Sequence, residues 1–243
     1  MKHNPVFVIV CGGSGSGKTT IAELIKKALP STYTCEIISL DNFYYPSERK
    51  IISNFDEPDA LDWFNVAGTV KSLIEFRVPV QVPKYDFVTH SYSSYTHIKP
   101  SDVIILEGIF SLYNENVRNL ASIKIFVDVP DDERLIRRIL RDVKERNTDI
   151  VQTVKMWRDT VIDAHHKYVE PSKYNSDIIV PWGGNSINMT AITAIAGAIE
   201  YEAYTARKQK VVSAVKNSKE IFDKEAGIKV KSEIKKAAPK RKN

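Results

Sequence analysis

Residues 6–20 read VFVIVCGGSGSGKTT, and the chain continues as IAELIKKAL over 21–29. An apolar run thus breaks into a glycine- and serine-rich turn and then into helix formers. Within it, Gly12-x-x-x-x-Gly17-Lys18-Thr19 satisfies the phosphate-binding loop pattern. Glycine reaches backbone dihedrals that a Cβ forbids. The N–H groups of Gly13, Ser14, Gly15, Ser16 and Gly17 can therefore turn inward around phosphate oxygens. A helix opening at Gly17 adds its positive end, and Lys18 supplies a mobile cation. The Thr19 hydroxyl is a ligand for Mg²⁺, and Thr20 continues the cradle. The strand before and the helix after separate this pattern from a flexible Gly/Ser turn. The expected ligand is a nucleoside triphosphate, ATP or GTP, with Mg²⁺.

Outward from this segment, short apolar runs alternate with helical patterns, which argues for βαβ units and a parallel sheet. The predicted strands are 6–11, 34–40, 103–108, 123–129 and 176–181. They read as continuous apolar runs, as parallel strands covered on both faces should. Helices are predicted over 17–29, 65–76, 131–146, 149–169 and 187–205. Between 78 and 99, alternation punctuated by Pro79 and Pro83 predicts a β-hairpin. The fold class is α/β: a phosphate-loop NTPase fold with a five-stranded parallel sheet flanked by helices, a hairpin insertion and an arginine-rich helical lid over 131–150.

Composition bounds the rest. A chain of 243 residues with 43% hydrophobic content suits one ordinary domain, here placed at 1–205. No apolar stretch approaches the roughly 18 residues of a membrane span. The start, MKHNPVFVIV, enters the first strand directly, so a cytoplasmic protein without a signal peptide is expected. Two cysteines, Cys11 and Cys35, support neither a disulfide framework nor a zinc site. The net charge of +5 hides a split: residues 206–243 carry 13 Lys/Arg against 4 Asp/Glu. That basic, partly helical or disordered tail could dock nucleic acid or a protein, or only solubilise.

The loop alone does not choose among kinase, GTPase, motor and transporter subunit. A GTPase usually carries Asn-Lys-x-Asp and a transporter subunit Leu-Ser-Gly-Gly; neither is present. Instead, polar residues stand at the C-terminal ends of the strands, where open α/β sheets place their ligands. The second strand ends in Asp41, a candidate base for an attacking hydroxyl or a group near the metal. The third main strand ends in Glu107, a candidate second acid near Mg²⁺. NFDEPDALD (54–62) offers carboxylates for polyol hydroxyls, with helix capping as the alternative. Tyr85 and Phe87 share strand parity and could sandwich a flat base, or form an ordinary core pair. The lid carries Arg134, Arg137, Arg138, Arg141, Lys144 and Arg146, of which 134, 138 and 141 share one helical face that could close on phosphates.

Taken in order, GGSGSGKTT, LDNFYY, NFDEPDALD, VPKYDFVTHS, VIILEGIF, IKIFVDVPDDERLIRRILRDVKER and EPSKYNSDIIVPWGGNS resemble the uridine kinase family, related to phosphoribulokinase. The resemblance spans roughly Pro5 to Glu200. It implies phosphorylation of the 5′-hydroxyl of uridine, and of cytidine as a further acceptor, with Asp41 as base and Thr19, Asp41 and Glu107 at the metal. It implies that Arg138 and Arg141 contact ATP phosphates and that Asp56 holds ribose hydroxyls. It further implies that Tyr85, Phe87 and His90 shape the base pocket, with Arg141 and Arg146 on the substrate side. A homo-oligomer, joined through the hairpin, is the family expectation. Three positions depart from the pattern: Thr148 and Tyr92 stand where arginines are usual, and Met156 where a glutamine is. Two rivals remain at this point, a pantothenate or phosphosugar kinase of the same superfamily and a nucleotide-binding regulatory protein.

Overall fold

The computed structural model describes residues 4–182 and 187–208. Its centre is a five-stranded parallel sheet in the order β2-β5-β1-β6-β7. The strands are β1 (Val6–Gly12), β2 (Cys35–Ser39), β5 (Val103–Gly108), β6 (Ile123–Asp128) and β7 (Ile178–Pro181). β1 is the middle strand, with Val8 opposite Ile105 of β5 and Ile123 of β6. All residues of β1 and β5 are buried.

Side chains alternate across a strand, so β1 feeds two cores. Phe7, Ile9 and Cys11 join Ile38, Ile104, Leu106 and Phe126 on one face. Val6, Val8 and Val10 join Ile105 and Ile125 on the other, under Ile21 and Ile25 of α1 (Lys18–Ala28). The last helix, 189–208, covers this second face with Ile192, Ile195, Ala196, Ile199 and Ala203, an apolar stripe at helical spacing. Helix α2 (Trp63–Ile74) packs Val66, Val70 and Leu73 on the first face. Both cysteines are free, and burial pushes the Cys35 thiol up to about 12.

The described residues run three positions past the domain end expected at 205. The helix continues to 208, and Arg207 pairs with Asp102 at 2.9 Å, donates to the Thr32 carbonyl at 3.0 Å and lies 4.2 Å over the Tyr33 ring. The tail expectation for 209–243 lies outside the described residues, as does the GGNS segment at 183–186.

The hairpin, β3 (Val80–Asp86) and β4 (Ser91–Ile98), is a separate antiparallel pair. It is seated on the body through buried Val82, Tyr85 and Ile98. Helix α3 (Glu115–Arg118) lies between β5 and β6.

The lid helix, α4 (Asp131–Glu145), is inverted relative to an ordinary surface helix. Its buried residues are Arg134, Arg138 and Asp142, while Ile136, Leu140 and Val143 are exposed. Helix α5 (Ile150–Met156) follows and runs on through two π-helical stretches, Trp157–Val161 and His165–Val169, separated by Ile162–Ala164. Thr153, Trp157, Val161, His165 and Val169 are all buried. An α-helix would rotate such an every-fourth-residue row by roughly 40° per step, since each residue advances about 100°. The wide π turns keep it facing inward.

Candidate active site

Strand β1 delivers the phosphate loop at the middle of the sheet's C-terminal edge. The Ser16 N–H donates to the Gly13 carbonyl at 3.0 Å, and Gly17, at φ 84°, opens α1. Gly15, at φ 79°, is also left-handed, where a Cβ would be strained. Space forbids a side chain as well: at Gly15 it would strike the Arg134 carbonyl oxygen, and at Gly17 the Trp182 indole. Arg134 clamps the loop from behind, donating from Nε to the Val129 carbonyl at 3.2 Å and from Nη1 to the Ser14 carbonyl at 3.4 Å, while pairing with Asp131. Beside it, burial and Arg134 hold the His165 pKa down at about 4, so this imidazole packs as a neutral ring.

Around the loop lie two cavities. The nucleotide side, about 410 Å³, is lined by Gly15, Gly17, Lys18, Thr19, Thr20, Glu133, Arg137, Arg141 and Trp182. The Arg137 guanidinium sits 4.4 Å over the Trp182 ring. The acceptor side, about 450 Å³, runs from Ser14, Lys18 and Asp41 through Asp56 to Phe55, Phe87, His90, Thr148, Gln152 and Met156. Lys18 and Arg141 line both.

Glu107 is buried at the end of β5. Its carboxyl is raised above the ordinary glutamate range by burial first, with Asp41 raising it further and Lys18 opposing. Ser39 and Thr19 hydrogen-bond to this group, yet Oε2 is buried without a partner. Among the described residues no group of three or more His, Cys, Asp or Glu surrounds one metal position. A hydroxyl and carboxylate set with a spare oxygen, completed by phosphates and water, suits a hard cation such as Mg²⁺. Asp41 sits in the 3₁₀ turn Leu40–Phe43 that ends β2, half-buried at the acceptor cavity.

Across the cavity, Asp56 is 8% exposed. Burial raises its pKa, against Arg138 and Thr160, which lower it. Arg138 Nη1 is 3.6 Å from Asp56 Oδ1 and donates to Ser14 Oγ at 3.1 Å. It thereby links the phosphate loop to Asp56. In the same acidic segment Asp62 instead caps α2, accepting from the Asn65 N–H at 3.0 Å. The helix-cap reading of NFDEPDALD therefore holds at Asp62.

The expected base sandwich between Tyr85 and Phe87 does not form. Their centroids are 5.1 Å apart at 76°, an edge-to-face contact that leaves no gap for a ring. β3 ends at Asp86, and both rings fall on one side, packed against Tyr44 and Phe55 as well as each other. Tyr85 is buried beneath the cavity against Tyr44, and Phe87 lines it. Phe55, which has no signal of its own in the sequence, also lines it, its ring 6.3 Å from Phe87 in an edge-to-face contact and 5.0 Å from His90. The Arg146 guanidinium lies 3.9 Å over Phe87.

The departures from the family pattern sort themselves. Tyr92 lies away from the cavity, its hydroxyl donating to the Tyr44 carbonyl at 3.1 Å. Thr148 and Met156 do line it, and Gln152, one turn before Met156, lines it too. The missing glutamine therefore has a neighbour able to present the same amide.

Residues 7–188 match the family described as phosphoribulokinase / uridine kinase. The chain belongs to that family. It is 42% identical over 190 residues to a protein named uridine kinase from Lactobacillus helveticus (strain DPC 4571), covering 76% of this chain and 90% of the relative. A uridine kinase from Ureaplasma parvum serovar 3 is 38% identical over 199 residues, covering 79% and 94%. Among solved structures, one titled a possible uridine kinase from Bacillus stearothermophilus aligns with a TM-score of 0.55 at 17% identity, over 74% of this chain and 90% of that one. At that identity the likeness speaks for the fold. Parallel sheet, flanking helices and hairpin are those of family phosphate-loop kinases.

Proposed function

We propose that this chain is a uridine kinase, transferring the γ-phosphoryl group of ATP or GTP to the 5′-hydroxyl of uridine, with cytidine as a second acceptor. The observation that carries the reading is the meeting of the two cavities at Lys18 and Arg141. A phosphoryl group crossing from donor to acceptor would pass between those cations. The relatives named uridine kinase support the choice of acceptor.

Asp41 takes the proton of the 5′-hydroxyl as its oxygen attacks the γ-phosphorus in line. The bond to the β–γ bridging oxygen breaks and the nucleoside diphosphate leaves. Lys18, Arg138 and Arg141 offset the charge that spreads over the transferring group. Mg²⁺, held by the Thr19 hydroxyl with Glu107 and Asp41, would neutralise phosphate oxygens. Asp56 accepts from the ribose hydroxyls, Phe55, Phe87 and His90 wall the base, and Arg146 is stacked in place on Phe87. Tyr85 acts by supporting Phe87. Gln152 offers the base edge a donor and an acceptor.

Among the described residues no helix is long and apolar enough to cross a membrane. A cytoplasmic salvage role and self-association through the hairpin complete the proposal. The test is ATP consumption against uridine, cytidine, pantothenate and ribulose 5-phosphate. Turnover with uridine at least tenfold above the last two is expected, and preference for either of them would overturn the assignment. Light scattering of the eluted protein, with and without Tyr95→Glu on the exposed hairpin face, tests the assembly.

A further inference from the structure

Asp142 belongs to none of the roles above, yet it sits at the centre of the lid's inner face and is 4% exposed. Three arginines converge on its carboxylate: Arg138 Nε at 3.2 Å, Arg141 Nη2 at 2.8 Å and Arg146 Nε at 3.5 Å. Its main chain gathers the following turn as well. The Asp142 carbonyl accepts from the Arg146 N–H at 3.0 Å, the Thr148 N–H at 3.3 Å and Thr148 Oγ1 at 3.0 Å. Arg138 and Arg146 line the acceptor cavity, and Arg141 lines both. Three like charges held this close would spread apart without an anion among them. Of the other carboxylates near them among the described residues, Asp56 stands 3.6 Å from Arg138 and Asp41 acts on Arg146 through space.

We propose that Asp142 is a positioning residue that acts as a resident counter-anion. It keeps the three lid arginines gathered while no nucleotide is bound and yields them to phosphate oxygens as these arrive. The inference rests on the phosphoryl-transfer reading, but its main readout needs no acceptor. Removing one partner of a buried ion pair leaves uncompensated charge, which destabilises the unliganded state. An arriving phosphate then relieves that charge. Ground-state binding therefore tightens while turnover suffers, because the arginines are no longer held where the transition state needs them.

The experiment compares full-length wild type, Asp142→Asn and Asp142→Glu by ADP titration calorimetry, thermal unfolding with and without ADP, and steady-state kinetics. In Asp142→Asn, ADP affinity should rise about three- to tenfold, the ADP-induced rise in Tm should exceed that of wild type, and kcat should fall at least tenfold. Asp142→Glu, which keeps the charge, should restore ADP affinity to within about twofold of wild type. If Asp142→Asn does not fold, Asp142→Glu decides, with reduced kcat at wild-type ADP affinity expected. Weakened ADP binding that tracks a loss of kcat overturns the proposal, as do unchanged values of both. Altered ADP binding without uridine turnover would sink the acceptor assignment and leave the role of Asp142 standing.

Discussion

Asp56→Asn isolates the recognition of the sugar. The contacts of Asp56 in the protein are long, 3.6 Å to Arg138 and 3.4 Å from Thr160 Oγ1, so its oxygens retain capacity for hydroxyl donors. A hydrogen bond to a charged acceptor contributes about 1.5–3 kcal/mol. At 1.36 kcal/mol per decade, losing one hydroxyl should cost wild type about 10- to 150-fold in kcat/KM. The asparagine oxygen still accepts, but a neutral acceptor gives roughly half the energy. Half the energy is the square root of the factor, so the penalty in Asp56→Asn should shrink to about 3- to 12-fold. The assay is kcat/KM at saturating ATP for uridine, 2′-deoxyuridine and 3′-deoxyuridine on both proteins. If neither deoxy penalty shrinks in the variant, Asp56 does not touch the sugar. Acidity gives a second signature. Burial raises the Asp56 pKa, so the acidic limb of kcat/KM for uridine should lie above the usual carboxylate range, with activity falling as pH drops through it. Because the folded value is raised, the stability linked to this group is complete at low pH and is lost as pH rises through that value. Asp56→Asn should accordingly not lower Tm at neutral pH.

Four further outcomes are expected. Asp41→Asn should reduce kcat by roughly 10²–10⁴ with ATP affinity nearly intact; near-normal turnover would remove Asp41 as the base. Gln152→Ala should lower kcat/KM for uridine by about five- to tenfold, the worth of about one hydrogen bond, leaving KM for ATP unchanged. Thr148→Arg with Met156→Gln should raise kcat/KM for uridine and sharpen its preference over cytidine; a poorer double variant would mean that the pocket reads the base by other residues. Arg207→Ala removes a part-exposed ion pair and a cation–π contact, together about 1 kcal/mol, so calorimetry should show Tm lower by about 2–4 °C.

The parts of the molecule legible in the sequence are those with short-range causes. The phosphate loop, the five apolar strands and the charged lid each declare themselves within some twenty residues. The site residues that were missed depend on what packs against what. Phe55 reaches the cavity through its packing with Tyr44, Tyr85, Phe87 and His90, contacts between distant segments that no local spacing announces. Gln152 shares a cavity with Met156 because the two stand one turn apart on α5; that this face of the helix meets the cavity is set by packing the local spacing does not announce. Asp142 had a visible signal, an acid four residues after Arg138 and beside Arg141. Local spacing reads such an acid as a surface ion pair. The burial of the charged face of α4 makes it a hub.

The phosphate loop hangs from β1, the middle strand of the sheet, and this governs how the protein reports its ligands. Fraying at the sheet edges leaves the loop standing; only the unfolding that dissolves the central strands removes it. Nucleotide bound there acts on the global unfolding equilibrium. At a hundred times its Kd it adds about 2.7 kcal/mol, or about 5–11 °C in Tm at the scaling for a domain of this size. A simple melting curve is therefore a binding measurement for the whole molecule, one that ranks donors and variants before any acceptor is known.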